Sequence, residues 1–201
     1  LSDTPDELPD ILSIAAKYGN EDMFYEFTST SKISFPGSGV AVLAASDRNI
    51  QMIIDRMSIQ TIGYDKLNQF RHVKFYKDVK GIKSHMKLHK NILAPKFKAV
   101  INEFETQLGK YGVASWTKPK GGYFISLDVM EGTAKRVYQL CKEGGVTLTT
   151  VGATFPYGYD PKDRNIRIAP SYPPVDELLT ATKLLCICVK LAACEKLLEE
   201  N

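Results

Sequence analysis

Residues 27–39 read Phe27-Thr28-Ser29-Thr30-Ser31-Lys32-Ile33-Ser34-Phe35-Pro36-Gly37-Ser38-Gly39. A short apolar and β-branched run, Met23 to Thr28, ends here in hydroxyls, one lysine and a Pro-Gly turn. A second apolar run, Val40 to Ala45, follows at once and reads as a strand buried on both faces. A strand that delivers a lysine and several hydroxyls to the edge of a turn builds a site. At a buried strand end the ammonium form of Lys32 would be disfavoured, leaving a nucleophilic amine. The neighbouring hydroxyls and turn amides would suit a phosphate or carboxylate. A solvated lysine in an ordinary Ser/Thr-rich turn explains the same residues. Spacing leaves both readings open.

Outward from this stretch, a helix is expected from Asp6 to Tyr18, capped by Asp3 or Thr4 unless Pro9 marks a later start. Ser46-Asp47 caps a helix to about Met57, with Ile50, Ile53, Ile54 and Met57 on one face. Asp65 caps another from Lys66 to about Tyr76, and a long helical stretch follows Lys80-Gly81 to Tyr111. Pro95 interrupts it and predicts a kink or two abutting helices. Beyond it, strands are expected at Ser115 to Lys118, Tyr123 to Val129, Val146 to Val151 and Ile166 to Ala169. Helices span Thr133 to Glu143 and Val175 to Glu200, and Gly152 to Asn165 is a loop. Alternating strands and helices argue an α/β or α+β chain whose domain boundary falls in the long helix.

Composition excludes several classes. The 201 residues are 44% hydrophobic and 24% charged, with net charge +3 spread along the chain. That is no footprint of a nucleic-acid binder, and no apolar run reaches membrane-spanning length. Cys141, Cys186, Cys188 and Cys194 suit apolar thiols of a reducing cytoplasm better than a disulfide or zinc site. The chain opens on Leu1 and an acidic turn containing Pro5, and reads as the later part of something longer.

The motif SxSK with its Pro-Gly turn resembles the cofactor-lysine segment of fold-type-I, pyridoxal-phosphate-dependent aminotransferases of class I/II. Three further segments follow in the family's order. KPKGGYFISLDV (118–129) resembles the small-domain strand with a Gly-Gly pair, and GGVTLTTVGATFPYG (144–158) the next strand and its active-site loop. RNIRIAPSYP (164–173) resembles the segment that holds the arginine for the substrate α-carboxylate. The wording of TSTSKISFPGSG (28–39) and DKLNQFRHVKFY (65–76) is most similar to a bacterial aspartate-aminotransferase-like subgroup.

This resemblance implies an α/β fold, the C-terminal part of the PLP-dependent transferase fold. Residues 1–80 would be the end of the large cofactor-binding domain, 81–111 the kinked interdomain helix, and 112–201 an α+β small domain. The implied cofactor is pyridoxal 5'-phosphate, bonded to Lys32, with Ser29 and Ser31 on its phosphate. Lys32 would also carry the proton to and from the substrate α-carbon, and Arg167 would clamp the α-carboxylate. The substrates would be an amino acid, aspartate foremost, and a 2-oxo acid, handled by a cytoplasmic homodimer without nucleic-acid or membrane partners. Where many members place a phosphate-binding arginine after the turn, this chain has Ser38-Gly39-Val40. The family's aspartate at the cofactor ring nitrogen and tyrosine at its ring hydroxyl belong upstream of the lysine. Aminotransferase-like ligand sensors of bacterial transcription regulators, and an inactive fragment, are the competing expectations.

Other candidates read blandly. Arg71 is a solvated helix arginine sooner than a substrate contact, and Arg164 a solvated loop residue. Trp116 and Tyr123 read as core. His85 and His89 share a helix face at metal-pair spacing, but without a third ligand they read as a surface stripe.

Overall fold

The computed structural model describes residues 1–4, 6–35 and 37–200. Pro36 of the expected Pro-Gly turn and Pro5 of the acidic turn lie outside them. The chain divides into two compact units, Asp6–His89 and Leu1–Pro5 with Lys90–Asn201.

In the first unit, helix α1 covers Ile11–Lys17, a later start than Asp6. Pro9 precedes it, and the cap is Asp10, whose carboxylate accepts from the Ser13 amide at 3.1 Å. Strands β1 (Tyr25–Ser29) and β2 (Ala41–Ala45) pair antiparallel, Tyr25 opposite Ala45 and Ser29 opposite Ala41. The expectation that β2 is buried on both faces fails, since Val42 is 57% exposed and no residue of the strand is fully buried. A two-stranded ribbon has one neighbour per strand, and the described residues lay no complete layer over it. Helix α2 (Asp47–Gln60) is capped by Ser46, and α3 (Lys66–Tyr76) by Asp65, each accepting from the amide three residues on. Helix α4 (Val79–Gln107) begins in this unit and, from Lys90, belongs to the other; it runs through Pro95 as one continuous element rather than two abutting helices.

The second unit has a three-stranded antiparallel sheet in the order β3-β4-β5, from Ala114–Trp116, Ile125–Val129 and Asn165–Ile168. Helix α5 (Ala134–Glu143) and the long α6 (Val175–Glu199) complete it. Ile125, Leu127 and Val129 alternate inward from β4 and meet Phe97, Val100, Phe104 and Leu108, together with Leu185 and Val189 of α6. Full burial of each such side chain contributes about 1.5–3 kcal/mol. Trp116 packs on Phe104 with ring centroids 5.5 Å apart, so its reading as core holds.

Val146 to Val151 forms no strand. Val146, Leu148 and Val151 still pack against the core, but no neighbouring strand supplies a hydrogen-bond ladder. Three cysteines are core thiols, with burial pushing Cys186 up to about 12 and Cys141 higher; Cys194 is exposed. Among the described residues no helix is long and apolar enough to cross a membrane.

Candidate active site

Strand β1 ends at Ser29, and the chain then wraps one tight turn around the carbonyl of Thr30. That oxygen accepts from the amides of Ile33 (3.0 Å) and Ser34 (2.8 Å). Lys32 lies in this turn and is exposed. The expected buried strand end is therefore absent, because β1 is itself exposed along its length and burial begins only at Ser34.

The hydroxyls of Ser29 and Ser31 converge, with Oγ atoms 3.2 Å apart and the Ser31 amide 3.4 Å from Ser29 Oγ. Thr30 turns the other way, toward β2 and α3. Gly39 closes on this cluster so tightly that a Cβ there would meet Ser31 Oγ at 2.7 Å and Ser31 Cα at 3.3 Å. Two exposed hydroxyls and backbone packed against a side-chain-free glycine form a cradle that suits a phosphate, directly before Lys32. The structure thus brings Ser29, Ser31 and Lys32 together.

Arg167 belongs to the second unit. Along β5, Ile166 and Ile168 enter the core, so strand alternation turns Arg167 to the opposite face, across from Ser126 of β4. Its guanidinium lies over the Phe124 ring, Cζ 4.5 Å from the centroid. Its Nε is buried, with no hydrogen-bond partner among the described residues. A buried donor left unpaired costs about 1–3 kcal/mol, which a bound acceptor would recover. Arg167 lines a pocket of about 150 Å³ with Thr147, Thr149, Pro173 and Thr182 among its walls. A preorganised planar fork with a spare donor is suited to a carboxylate.

Arg164 is not merely solvated. Its Nη2 donates to Asp128 Oδ2 at 2.9 Å, and its amide donates to Asp160 at 2.8 Å. Asp160 is buried and also accepts from the amides of Lys162 and Asn165. Burial alone would push this carboxyl up, but the amides of Asn165, Arg164, Lys162 and Asp163 outweigh it and hold it below its ordinary value. Asp160 thereby organises the end of the loop that leads into β5. At the loop's other end, Gly152 has φ +87°, and a Cβ would meet Gly158 O at 2.0 Å, so only glycine fits.

Arg71 is exposed on α3. His85 and His89 are a half-buried pair, Nε2 atoms 3.1 Å apart, with His85 edge-on to Phe75 and Tyr76. The surface-stripe reading is corrected: aromatic packing draws them in. Among the described residues no group of three ligands suits a metal ion.

A family model described as aspartate amino-transferase matches residues 1–201. The chain belongs to this family. It is 44% identical over 195 residues to an aspartate aminotransferase of Corynebacterium glutamicum, covering 97% of this chain and 45% of that protein. A protein of Mycolicibacterium smegmatis is 46% identical over 201 residues, 100% of this chain and 47% of the relative. The crystal structure of an aspartate transaminase from C. glutamicum superposes with a TM-score of 0.94, at 44% identity, over 97% of this chain and 46% of that one. LysN, an α-aminoadipate aminotransferase from Thermus thermophilus complexed with N-(5'-phosphopyridoxyl)-L-leucine, shares the fold with a TM-score of 0.76 at 19% identity. The chain thus spans slightly less than half the length of the relatives it matches.

Within this chain, sequence reasoning missed Phe124 as the partner of Arg167 and His72 as a partner of the Lys32 turn. A signal for the second was present. Asn68, His72 and Tyr76 recur every four residues, which places them on one face of α3.

Proposed function

We propose that the complete gene product is a pyridoxal-phosphate-dependent aminotransferase. It would exchange the amino group of an L-amino acid, aspartate foremost, with a 2-oxo acid. The observation that carries this reading is the cradle of Ser29, Ser31 and Gly39 directly before Lys32, in a chain of the aspartate amino-transferase family. The C. glutamicum relative named as an aspartate aminotransferase supports the substrate, and the phosphopyridoxyl ligand of LysN supports the cofactor.

When bound, the cofactor supplies an electron sink that makes the substrate α-proton acidic. Lys32 would hold it through Nζ, and the lysine amine would hold and move the proton at the substrate α-carbon. Ser29 and Ser31 donate hydroxyl protons to the phosphate. Arg167 would orient the substrate through its α-carboxylate, using the Nε–H that has no partner among the described residues together with a terminal N–H. A cytoplasmic homodimer acting on small molecules, with no nucleic-acid or membrane partner, completes the proposal; sedimentation at the monomer mass would remove the dimer.

The test is borohydride reduction of the purified complete gene product, followed by peptide mapping. Cofactor is expected on Lys32, with Lys32→Ala abolishing the fixation and lowering turnover by about 10²–10⁴-fold. Cofactor fixed to another lysine, or none bound, would refute the assignment. Arg167→Lys should raise the KM for amino acids about tenfold or more while the cofactor absorbance persists, since lysine cannot form the fork. Unchanged kinetics would remove Arg167 from the site.

A further inference from the structure

The turn that carries Lys32 is held from beneath by one face of α3, and its central contact is a buried histidine. His72 Nδ1 lies 2.9 Å from the carbonyl oxygen of Asn68. A carbonyl only accepts, so the ring proton sits on Nδ1, and in the neutral ring Nε2 is an acceptor. Nε2 faces Ser34 Oγ at 3.0 Å and Thr30 Oγ1 at 3.4 Å. Ser34 Oγ in turn lies 2.9 Å from both the carbonyl and the hydroxyl oxygen of Thr30. Thr30 Oγ1 accepts from the amide of Val40 at 2.9 Å, and the Thr30 amide donates to the Val40 carbonyl at 2.9 Å.

Two further contacts flank this chain of bonds. The Tyr76 hydroxyl donates to the Ile33 carbonyl at 3.0 Å, and Asn68 Nδ2 donates to the Ser38 carbonyl at 2.9 Å. The His72 ring is also edge-on to Phe35, with centroids 5.4 Å apart. Residues on both sides of Lys32 are thereby tied to α3 or β2, while Ser29, Ser31 and Lys32 stay exposed.

We propose that His72, acting through Ser34 and Thr30, is the positioning residue of the Lys32 turn, setting where the amine and the Ser29–Ser31 pair present themselves to a phosphorylated aldehyde cofactor. This rests on the reading of Lys32 as the cofactor lysine. A short turn with exposed residues at its tip has many alternatives of similar energy, and each lost bond to the fixed helix releases some of them. The contribution therefore falls on cofactor affinity rather than on global stability.

The experiment titrates pyridoxal 5'-phosphate into the apo form of the complete gene product and reads visible absorbance and the thermal midpoint. His72→Phe keeps the ring against Phe35 but removes both ring nitrogens. Ser34→Ala removes the hydroxyl between His72 and Thr30 and is small enough to fold should the first variant not. His72→Gln retains a side-chain amide near the place of Nε2. Each of the first two is expected to weaken cofactor binding about five- to tenfold, with the apo thermal midpoint almost unchanged. Their combination should be no worse than either alone, because both break one chain of bonds, and His72→Gln should recover most of the affinity. Affinities within twofold of the parent overturn the proposal, and so do losses that multiply in the double variant. A lowered apo midpoint without Gln rescue overturns it too, by making His72 simply structural. Lys32→Ala in parallel separates the two readings: if it still fixes cofactor on borohydride treatment, the functional assignment fails, whatever His72 does.

Discussion

The two compact units are held by different kinds of force. From Lys90 onward, Val100, Phe104, Leu108, Ile125 and Leu127 have no exposure at all, and two helices and a sheet close around them. In Asp6–His89 the large apolar side chains lie open, with Phe27 70%, Ile59 88% and Phe70 65% exposed. Order there comes from polar contacts. Asp10, Ser46 and Asp65 cap three helices, Asp22 receives Ser46 and Arg48, and Thr30, Ser34 and His72 tie the Lys32 turn to α3. Caps and single hydrogen bonds each contribute on the order of 1 kcal/mol, against several for a buried aromatic ring. The unit that carries the candidate lysine is thus the one whose local order is most easily altered, and Arg167 sits on the rigid scaffold.

The sharpest way to break this contrast is Phe104→Ala. The side chain has 0% exposure and touches the centre of the core, so the expected loss is about 3–5 kcal/mol in urea unfolding followed by circular dichroism. A loss below about 1 kcal/mol would show that the core is not the support of its unit.

Asp160 tests whether polar order also matters where the core is strong. Replacing it with Ala leaves the part-buried amides of Lys162, Arg164 and Asn165 without their acceptor, at an expected cost of about 1–3 kcal/mol near neutral pH. The sign with pH follows from the lowered carboxyl. Its folded value lies below the ordinary 3.8, so the contribution is complete above that value and is lost as pH falls through the depressed folded one. The gap in thermal midpoint between wild type and Asp160→Ala should therefore narrow in acid. A gap that stays constant from neutral pH to strong acid would exclude the carboxylate as its source.

The same contrast explains what the sequence made legible. Phe97, Val100, Phe104 and Leu108 recur at helical spacing and form a buried face, because a core lies within reach of it. Ile166 and Ile168 flank Arg167 on β5, and in the structure the pair faces the core while the arginine faces the other way. Apolarity misled at Val40 to Ala45, since an apolar run records a demand for cover and not its supply. Val146 to Val151 has strand-like residues, yet strand formation requires a partner ladder that no local pattern specifies. Lys32, Ser29, Ser31 and Arg167 were found as segments of a family order. The role of His72 is not legible in the sequence, because its meaning lies in contacts to Thr30 and Ser34, which a linear reading does not join.

The smallest expected effect is the most direct test of the open unit. Phe27 pairs with Leu43 across the β1–β2 ribbon, yet 70% of it remains accessible, so truncation removes little buried area. In the 201-residue chain, Phe27→Ala should change stability by no more than about 0.5 kcal/mol, as for surface substitutions away from special features. Urea unfolding monitored on the first unit would check this, and a loss above about 2 kcal/mol would contradict the exposure. An aromatic ring left so open, beside Tyr25 at 41% and Val42 at 57%, is also a surface that favours contact with apolar groups. Measuring the same substitution in the complete gene product gives the comparison its control. A penalty that grows there from near zero toward that of Phe104→Ala would measure, in free energy, how much cover the ribbon acquires outside these residues.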